Sequence, residues 1–450
     1  MSLREAIESY HDLLTDELAA ASQAQLDDQQ RQRGLFFGQR PLCTVLRPRF
    51  MTPEQYRFLQ SRTRVLLRAF DKAYRRAIED ADFRAQFGLL DWEEVLVRHD
   101  PGFRNPSPTS RVDTFFVTDR GGLRLTEYNA ETPASPAYND VLTEILYGLP
   151  VMREFLRRYE VRALPARHSV LHALVDAYRQ WSGGREAPRV AILDWREVPS
   201  YSEFVLFAEY FKSQGLECII ADPREVEYLD GRLVAGDFHI TLIYKRVLIS
   251  ELVERGGFDQ PVVRAVRDGA VCMVNPFRCK ILHKKASLAV LSDERNADLF
   301  TAEEREAIDA HIPWTCRVEQ RHARYHDQAI DLIPYIVEHR ENLVLKPNDE
   351  YGGKGIVLGW QTGAAGWEQA IRTALSEPYI VQERVAIPSE PFPSLVDGRL
   401  ELADRMLDTN PFVFYGDYVD GCLSRLSAEA LLNVSAGTGS AVATFVVEKR

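Results

Sequence analysis

Between Arg111 and Asn129 the chain reads Arg111-Val112-Asp113-Thr114-Phe115-Phe116, then Asp119-Arg120-Gly121-Gly122, then Leu125-Thr126-Glu127-Tyr128-Asn129. Two strand-like runs flanking a Gly-Gly turn predict an antiparallel hairpin. Residues two apart on a strand share a face, so Arg111 and Asp113 point one way and Glu127 and Asn129 share a face. Pairing then brings Asp113 close to Glu127 and Asn129. Two facing carboxylates repel unless positive charge lies between them. Asp113, Glu127 and Asn129 offer two carboxylates and an amide oxygen, a hard-oxygen set that suits Mg²⁺. Arg111 is expected to meet an anion across the metal. Acids in a hairpin are common in water-exposed turns, and alone they say little. The whole pattern R-x-D…G…E-x-N-x-x-x-P is more specific.

A second segment complements the first. Leu345-Lys346-Pro347-Asn348-Asp349-Glu350-Tyr351-Gly352-Gly353-Lys354-Gly355-Ile356 runs from an apolar strand into a glycine-rich turn. Gly352, Gly353 and Gly355 permit positive φ and close backbone approach to phosphates. Lys346 sits on the strand leading into that turn and is placed to neutralise phosphate oxygens. The P-loop pattern G-x-x-x-x-G-K-[ST] is absent, and a plain hairpin turn is the competing reading. Downstream, Tyr379-Ile380-Val381-Gln382-Glu383 is a strand ending in an acid, able to offer backbone groups to adenine and a carboxylate to ribose. Lys284 and Lys285 stand at an expected helix start, where cations are disfavoured. Either could face phosphate, and either could be solvated. Together these segments point to Mg-ATP.

The bulk properties narrow the alternatives. At 450 residues the chain can form two or three domains. A net charge of −11 argues against a nucleic-acid partner held by phosphate neutralisation. No apolar run has the length of a membrane span, and Met1–Glu5 opens no signal peptide. Six scattered cysteines form no C-x-x-C pair, so a reducing, cytoplasmic setting is expected.

Residues 1–33 read as polar, helical and peripheral, followed by a strand over Pro41–Leu46. Thr52-Pro53 reads as an N-cap opening a helix to about Phe87. Helices are expected at Tyr138–Leu146 and Arg167–Trp181. Strands at Arg189–Asp194, Glu217–Ala221 and Ile240–Tyr244, with a helix over Glu203–Gln214, predict a parallel α/β layer without a dinucleotide fingerprint. In that layer Tyr244, Lys245 and Arg246 are candidate acceptor contacts, with a structural role the better reading. The last third mixes strands and helices, including a helix over Lys284–Leu291 and one over Trp367–Leu375. Arg425, Asn433 and glycine turns at Gly416, Gly421, Gly437 and Gly439 mark a strand-rich end.

These motifs resemble the ATP-grasp superfamily. The hairpin is similar to the R-V-D-x-F…G…E-x-N-x-x-P end of a D-alanine–D-alanine ligase-like site. In ordinary members that hairpin follows the lysine strands and the glycine loop, whereas here it precedes them. The order resembles circularly permuted ATP-grasp proteins, among them the synthetase domain of glutathionylspermidine synthetase and a group of uncharacterised bacterial proteins. Glu127-Tyr128-Asn129-Ala130-Glu131-Thr132-Pro133 is similar to the E-x-N-A-x-T-P of the former. Lys285, Lys346, Gly352–Gly355, Gln382-Glu383 and Gly421…Arg425…Asn433…Gly437-Thr438-Gly439-Ser440 are similar to the latter. The likeness covers about residues 100–450. The amidase half of glutathionylspermidine synthetase is missing, and Gly437-Thr438-Gly439 lacks a full glycine triplet.

The resemblance implies an α/β (α+β) chain: a helical region over 1–100, a metal hairpin over 101–150, an α/β layer over 151–270 and nucleotide-binding lobes over 271–450. It implies Mg²⁺ on Asp113, Glu127 and Asn129. It implies ATP on Lys285, Lys346, Gly352, Gly353, Gly355, Gln382, Glu383 and Asn433, with Arg111 and Arg425 catalytic. The implied activity joins a small-molecule or peptide carboxylate to an amine through an acyl phosphate. A kinase-like use of the site and a nucleotide-binding scaffold without turnover are the alternatives.

Overall fold

A computed structural model describes residues 2–117, 122–184, 186–326, 328–350, 352–429 and 439–450. Three sheets organise it. The largest is mixed, with strands ordered Ser389–Val396, Arg399–Leu407, Tyr418–Ser427, Asn410–Phe414, Thr109–Val117, Gly122–Asn129. The C-terminal strand Ser440–Lys449 pairs first with Tyr418–Ser427, then runs on between Arg49–Met51 and Tyr159–Ala163. Sequence-distant segments therefore close one sheet. Its apolar packing carries Phe50, Phe412, Phe445 and Val447, all fully buried.

The second sheet is the expected parallel layer. Val190–Leu193 lies between Cys218–Ala221 and Leu242–Lys245, and Cys272–Val274 flanks the latter. All four residues of Val190–Leu193 are buried, as a strand covered on both faces requires. The fourth strand falls just past the expected boundary at 270. The third sheet is antiparallel, ordered Thr315–Arg317, Tyr379–Glu383, Leu343–Pro347, Val357–Leu358. Helices Leu332–Glu338 and Ala364–Ser376 cover it through Leu332, Ile336, Trp367 and Ile371.

Several expectations change. Residues 1–33 are helical, at Leu3–Asp12 and Asp16–Gln32, but Ala6, Tyr10 and Leu26 are fully buried in the main core rather than peripheral. The strand expected at Pro41–Leu46 pairs only at Arg40–Pro41. Beyond it the buried side chain of Gln30 takes the place of a strand partner, donating to the Cys43 carbonyl and accepting from the Cys43 N–H. The helix opened by Thr52 ends at Glu79, because Asp80 accepts from the N–H groups of Asp82 and Phe83 and caps a new short helix, Ala81–Ala85. The helix expected at Lys284–Leu291 forms two residues later, at Ala286–Ser292, and a separate short helix, Cys279–His283, precedes it with a break at Lys284. Among the described residues no helix is long and apolar enough to cross a membrane.

The helix Pro53–Glu79 backs the hairpin. Its capping box is complete, with Thr52 and Gln55 exchanging side-chain and backbone hydrogen bonds. The Phe70 ring packs 4.9 Å from that of Tyr128, on the hairpin strand that carries Glu127 and Asn129. Phe70→Ala is expected to cost about 3–5 kcal/mol, as for a buried aromatic truncation. Denaturant unfolding followed by far-UV circular dichroism measures it.

Candidate functional site

The hairpin register sets Asp113 opposite Glu127 and Arg111 opposite Asn129, with a bulge between Asp113 and Thr114 that leaves Thr126 unpaired. The bulge keeps Glu127 and Asn129 on the Asp113 face. Arg111 shares that face, and it does not reach out to an open anion position. Its Nε and Nη2 donate to the two oxygens of Asp113 at 2.8 and 3.2 Å, and its Nη1 donates to the Ala134 carbonyl at 3.0 Å. A guanidinium two residues from a buried carboxylate on one strand face finds it directly.

Arg425 approaches from the neighbouring part of the same sheet, donating to Asp113 Oδ2 at 2.7 Å. Burial pushes the Asp113 carboxyl up, but Arg111 and Arg425 outweigh it and hold the group down at about 2. Asp408, which no motif singled out, aims Arg425. It accepts from Arg425 Nε at 2.6 Å and from the Arg425 N–H at 2.6 Å, and Asn410 donates to it at 2.7 Å. Its only sequence signal is an isolated acid in a strand-rich stretch.

Two lysines complete the facing wall. Lys285 lies 3.1 Å from Glu127 and donates to the Glu350 carbonyl at 2.6 Å. Lys284 turns away to Glu93 and Asp349. Lys346 donates to Gln382 Oε1 at 2.7 Å and reaches the Thr126 carbonyl at 3.4 Å. Gln382 in turn donates to Thr315 Oγ1 at 3.0 Å, so its side chain positions Lys346 and has no group left over for a base. Glu383 accepts from the Tyr325 hydroxyl at 2.9 Å.

A cavity of about 170 Å³ lies between the large and the antiparallel sheets, and Arg111, Asn129 and Lys285 stand behind its lining rather than in it. Asp113, Glu127, Asp408 and Arg425 line one side. Lys346, Gly352, Gly353, Gln382 and Glu383 line the other. Phe115, the F of the R-V-D-x-F run, contributes with Trp360, Val385 and Ile387 an apolar part able to take a flat ring. Gly352 and Gly353 both have positive φ. Gly355 instead lines the cleft on the loop's other side, where an added Cβ would come 2.6 Å from Pro347. Asn433, Gly437 and Thr438 lie outside the described residues.

The donor set at the hairpin suits a hard divalent cation. Asp113 and Glu127 are opposed, and the buried side-chain nitrogen of Asn129 has no hydrogen-bond partner, so its amide can turn to present oxygen. A cation on Asp113 would compete there with Arg111 and Arg425. A second acidic group does not suit one. Glu131, His283 and Asp349 bring ligand atoms within 4.8 Å of one another. Lys280 already lies 3.2 Å from Glu131 and 2.6 Å from Asp349, Lys284 lies 2.9 Å from Asp349, and Lys245 lies 3.3 Å from Glu131. With Glu93 included, three carboxylates meet three ammonium groups, leaving no charge for a metal to neutralise.

No family model matches this chain, and no curated protein matches it in sequence. Among solved structures it is similar to a glutathione synthetase-like effector (GSS30) from Globodera pallida, in apo form. The TM-score is 0.59 at 13% identity, over 98% of this chain and 96% of that chain. At that identity the likeness is one of fold. The chain has a mixed α/β fold of the glutathione synthetase-like type along nearly its whole length.

An anion bound in the cavity would meet a Lys346 whose charge depends on pH near neutrality. Burial lowers it to about 8, with Glu127 opposing that shift. An unfolded lysine titrates near ~10.4, so the buried charge costs stability below about pH 8, and that cost is relieved as pH rises toward ~10. Anion binding runs the other way, because the ammonium is lost above about 8. Titration calorimetry with inorganic tripolyphosphate should show affinity falling by roughly threefold to tenfold between pH 7 and 9. Lys346→Met should weaken binding at pH 7 and flatten that limb.

Proposed function

We propose that this protein is an ATP-dependent carboxylate–amine ligase whose ATP-grasp site is assembled from a circularly permuted chain. One observation carries the reading. The paired acids Asp113 and Glu127, from the first third of the chain, line the same cavity as Lys346 and the glycines 352 and 353, from its last third, and Lys285 lies 3.1 Å from Glu127. That is a cation-binding wall opposite a phosphate-binding wall. The glutathione synthetase-like fold supports it at the level of architecture.

In this reading Asp113, Glu127 and Asn129 hold one or two Mg²⁺, which when bound offset charge on the phosphate oxygens. Lys285 and Lys346 neutralise the phosphates, the backbone at Gly352 and Gly353 closes over them, and Glu383 meets the ribose. The apolar strip of Phe115, Trp360, Val385 and Ile387 takes the adenine. Arg425, which lines the cavity beside Asp113, receives the transferring phosphoryl group, while Arg111 holds Asp113 in place. A substrate carboxylate oxygen attacks the γ-phosphorus, the bond to the β–γ bridging oxygen breaks, and ADP leaves. An amine nitrogen then attacks the acyl carbon, the carbon–oxygen bond breaks, and phosphate departs while the nitrogen gives up its proton. The protein's part is positioning and charge neutralisation, and no protein nucleophile is needed. The cysteines, all buried and unpaired, accord with a reducing compartment.

The test is ADP release from Mg-ATP against pools of amino acids, peptides and polyamines, with ¹⁸O-labelled carboxylate traced into phosphate. Transfer of the label is expected for an acyl phosphate. Asp113→Asn and Glu127→Gln should each lower kcat at least ~100-fold, the scale of losing a group that stabilises developing charge. Turnover that survives both substitutions would refute the metal assignment, and ADP formation only with hydroxyl acceptors would favour a kinase.

A further inference from the structure

Asn348, Asp349 and Glu350, which lead from the Lys346 strand toward the glycines, are each tied to one short segment of the other lobe. The Asn348 side chain accepts from the N–H of Ala286 at 2.8 Å, and its carbonyl accepts from the N–H of Lys285 at 2.9 Å. Asp349 accepts from Lys280 at 2.6 and 2.7 Å and from Lys284 at 2.9 Å. The Glu350 carbonyl accepts from Lys285 Nζ at 2.6 Å. The break in the helix at Lys284 makes this possible. A residue with ψ of 131° between two helical turns sends Lys284 and Lys285 to opposite sides, one to Asp349 and one to Glu127.

The buried charges behind this joint spread the connection further. Lys280 links Asp349 to Glu131, two residues past Asn129, and Lys284 links it to Glu93. Glu93 and Glu131 are fully buried. A buried ionic set of this kind adds little net stability over an apolar one, but breaking one member is costly, which makes it a device for fixing geometry. Past Glu350 the glycines take over, and Gly353 and Gly355 have positive φ of 78° and 72°.

We propose that Asp349 is a positioning residue for the nucleotide site. By binding Lys280 and Lys284 it fixes the root of the glycine-rich loop against the body and sets the Glu350 carbonyl that holds Lys285. This rests on the reading of the cavity as a nucleotide site. Asp349 touches none of the reacting groups itself.

The test compares two substitutions that remove the same charge from the same cluster. Asp349→Asn releases the loop, whereas Glu93→Gln leaves Asp349 and the loop root held by Lys280. Binding of a non-hydrolysable ATP analogue with Mg²⁺ is measured by titration calorimetry, with melting temperatures alongside. Asp349→Asn is expected to weaken the analogue at least tenfold, and Asp349→Glu to recover part of that. Glu93→Gln is expected to lower the melting temperature while staying within about twofold of the parent in affinity. If Glu93→Gln does not fold, Lys245→Met serves as the control, since Lys245 contacts Glu131 and the Val247 carbonyl. Equal losses in loop and control variants, or no loss in Asp349→Asn, would overturn the positioning role and leave the nucleotide site standing. Failure of the parent protein to bind the analogue would overturn both.

Discussion

Asp113 is buried, yet it remains ionised because Arg111 grips both its oxygens and Arg425 grips one of them. A carboxylate withdrawn from water without such partners would take up a proton. Arg425 in turn needs Asp408 to aim it, and Asp408 needs Asn410 and the Arg425 backbone. The chain of dependence runs through three strands of the large sheet, so the cleft's charge depends on that sheet's register. A one-residue slip in Thr109–Val117 would turn Asp113 to the opposite face and leave Arg425 facing apolar side chains.

The same logic governs the hairpin's other acids. Glu127 has burial acting to neutralise it and Lys285 acting to keep it charged, and the second effect prevails. Behind it, Glu131 is held down at about 2 despite its burial, with Lys280 and Lys245 the largest opposing influences. His283, in the same group, is lowered to about 4 by burial and stays neutral at physiological pH. Each carboxylate discussed here has a cation drawn from a different segment of chain. Ion pairs of this type specify an arrangement more than they stabilise it. A cleft that must align phosphates with a carboxylate has more use for alignment than for extra stability.

Much of the architecture was legible from local pattern. The hairpin and its pairing of Asp113 with Glu127 follow from alternation around a turn. The parallel layer follows from short apolar strands separated by a helix, and Thr52-Pro53 announces a capped helix. Less legible were features made by contact between distant segments. Gln30 standing in for a strand next to Cys43 leaves no local mark, because a glutamine in a polar helix reads as solvated. Asp408 looks ordinary until folding sets it beside Arg425 and the cavity. The short helix Cys279–His283 and the break at Lys284 leave no such mark either, although the break sends two adjacent lysines to Asp349 and Glu127.

Residue order alone therefore determined which side chains were available and which face of each strand carries them, since strand periodicity and turn chemistry act over a few residues. Tertiary structure decided which cation meets which acid. It gave Arg425 to Asp113, Lys285 to Glu127 and Lys284 to Asp349, because burial makes an unpaired charge too costly to keep and the nearest partner in space comes from elsewhere in the chain.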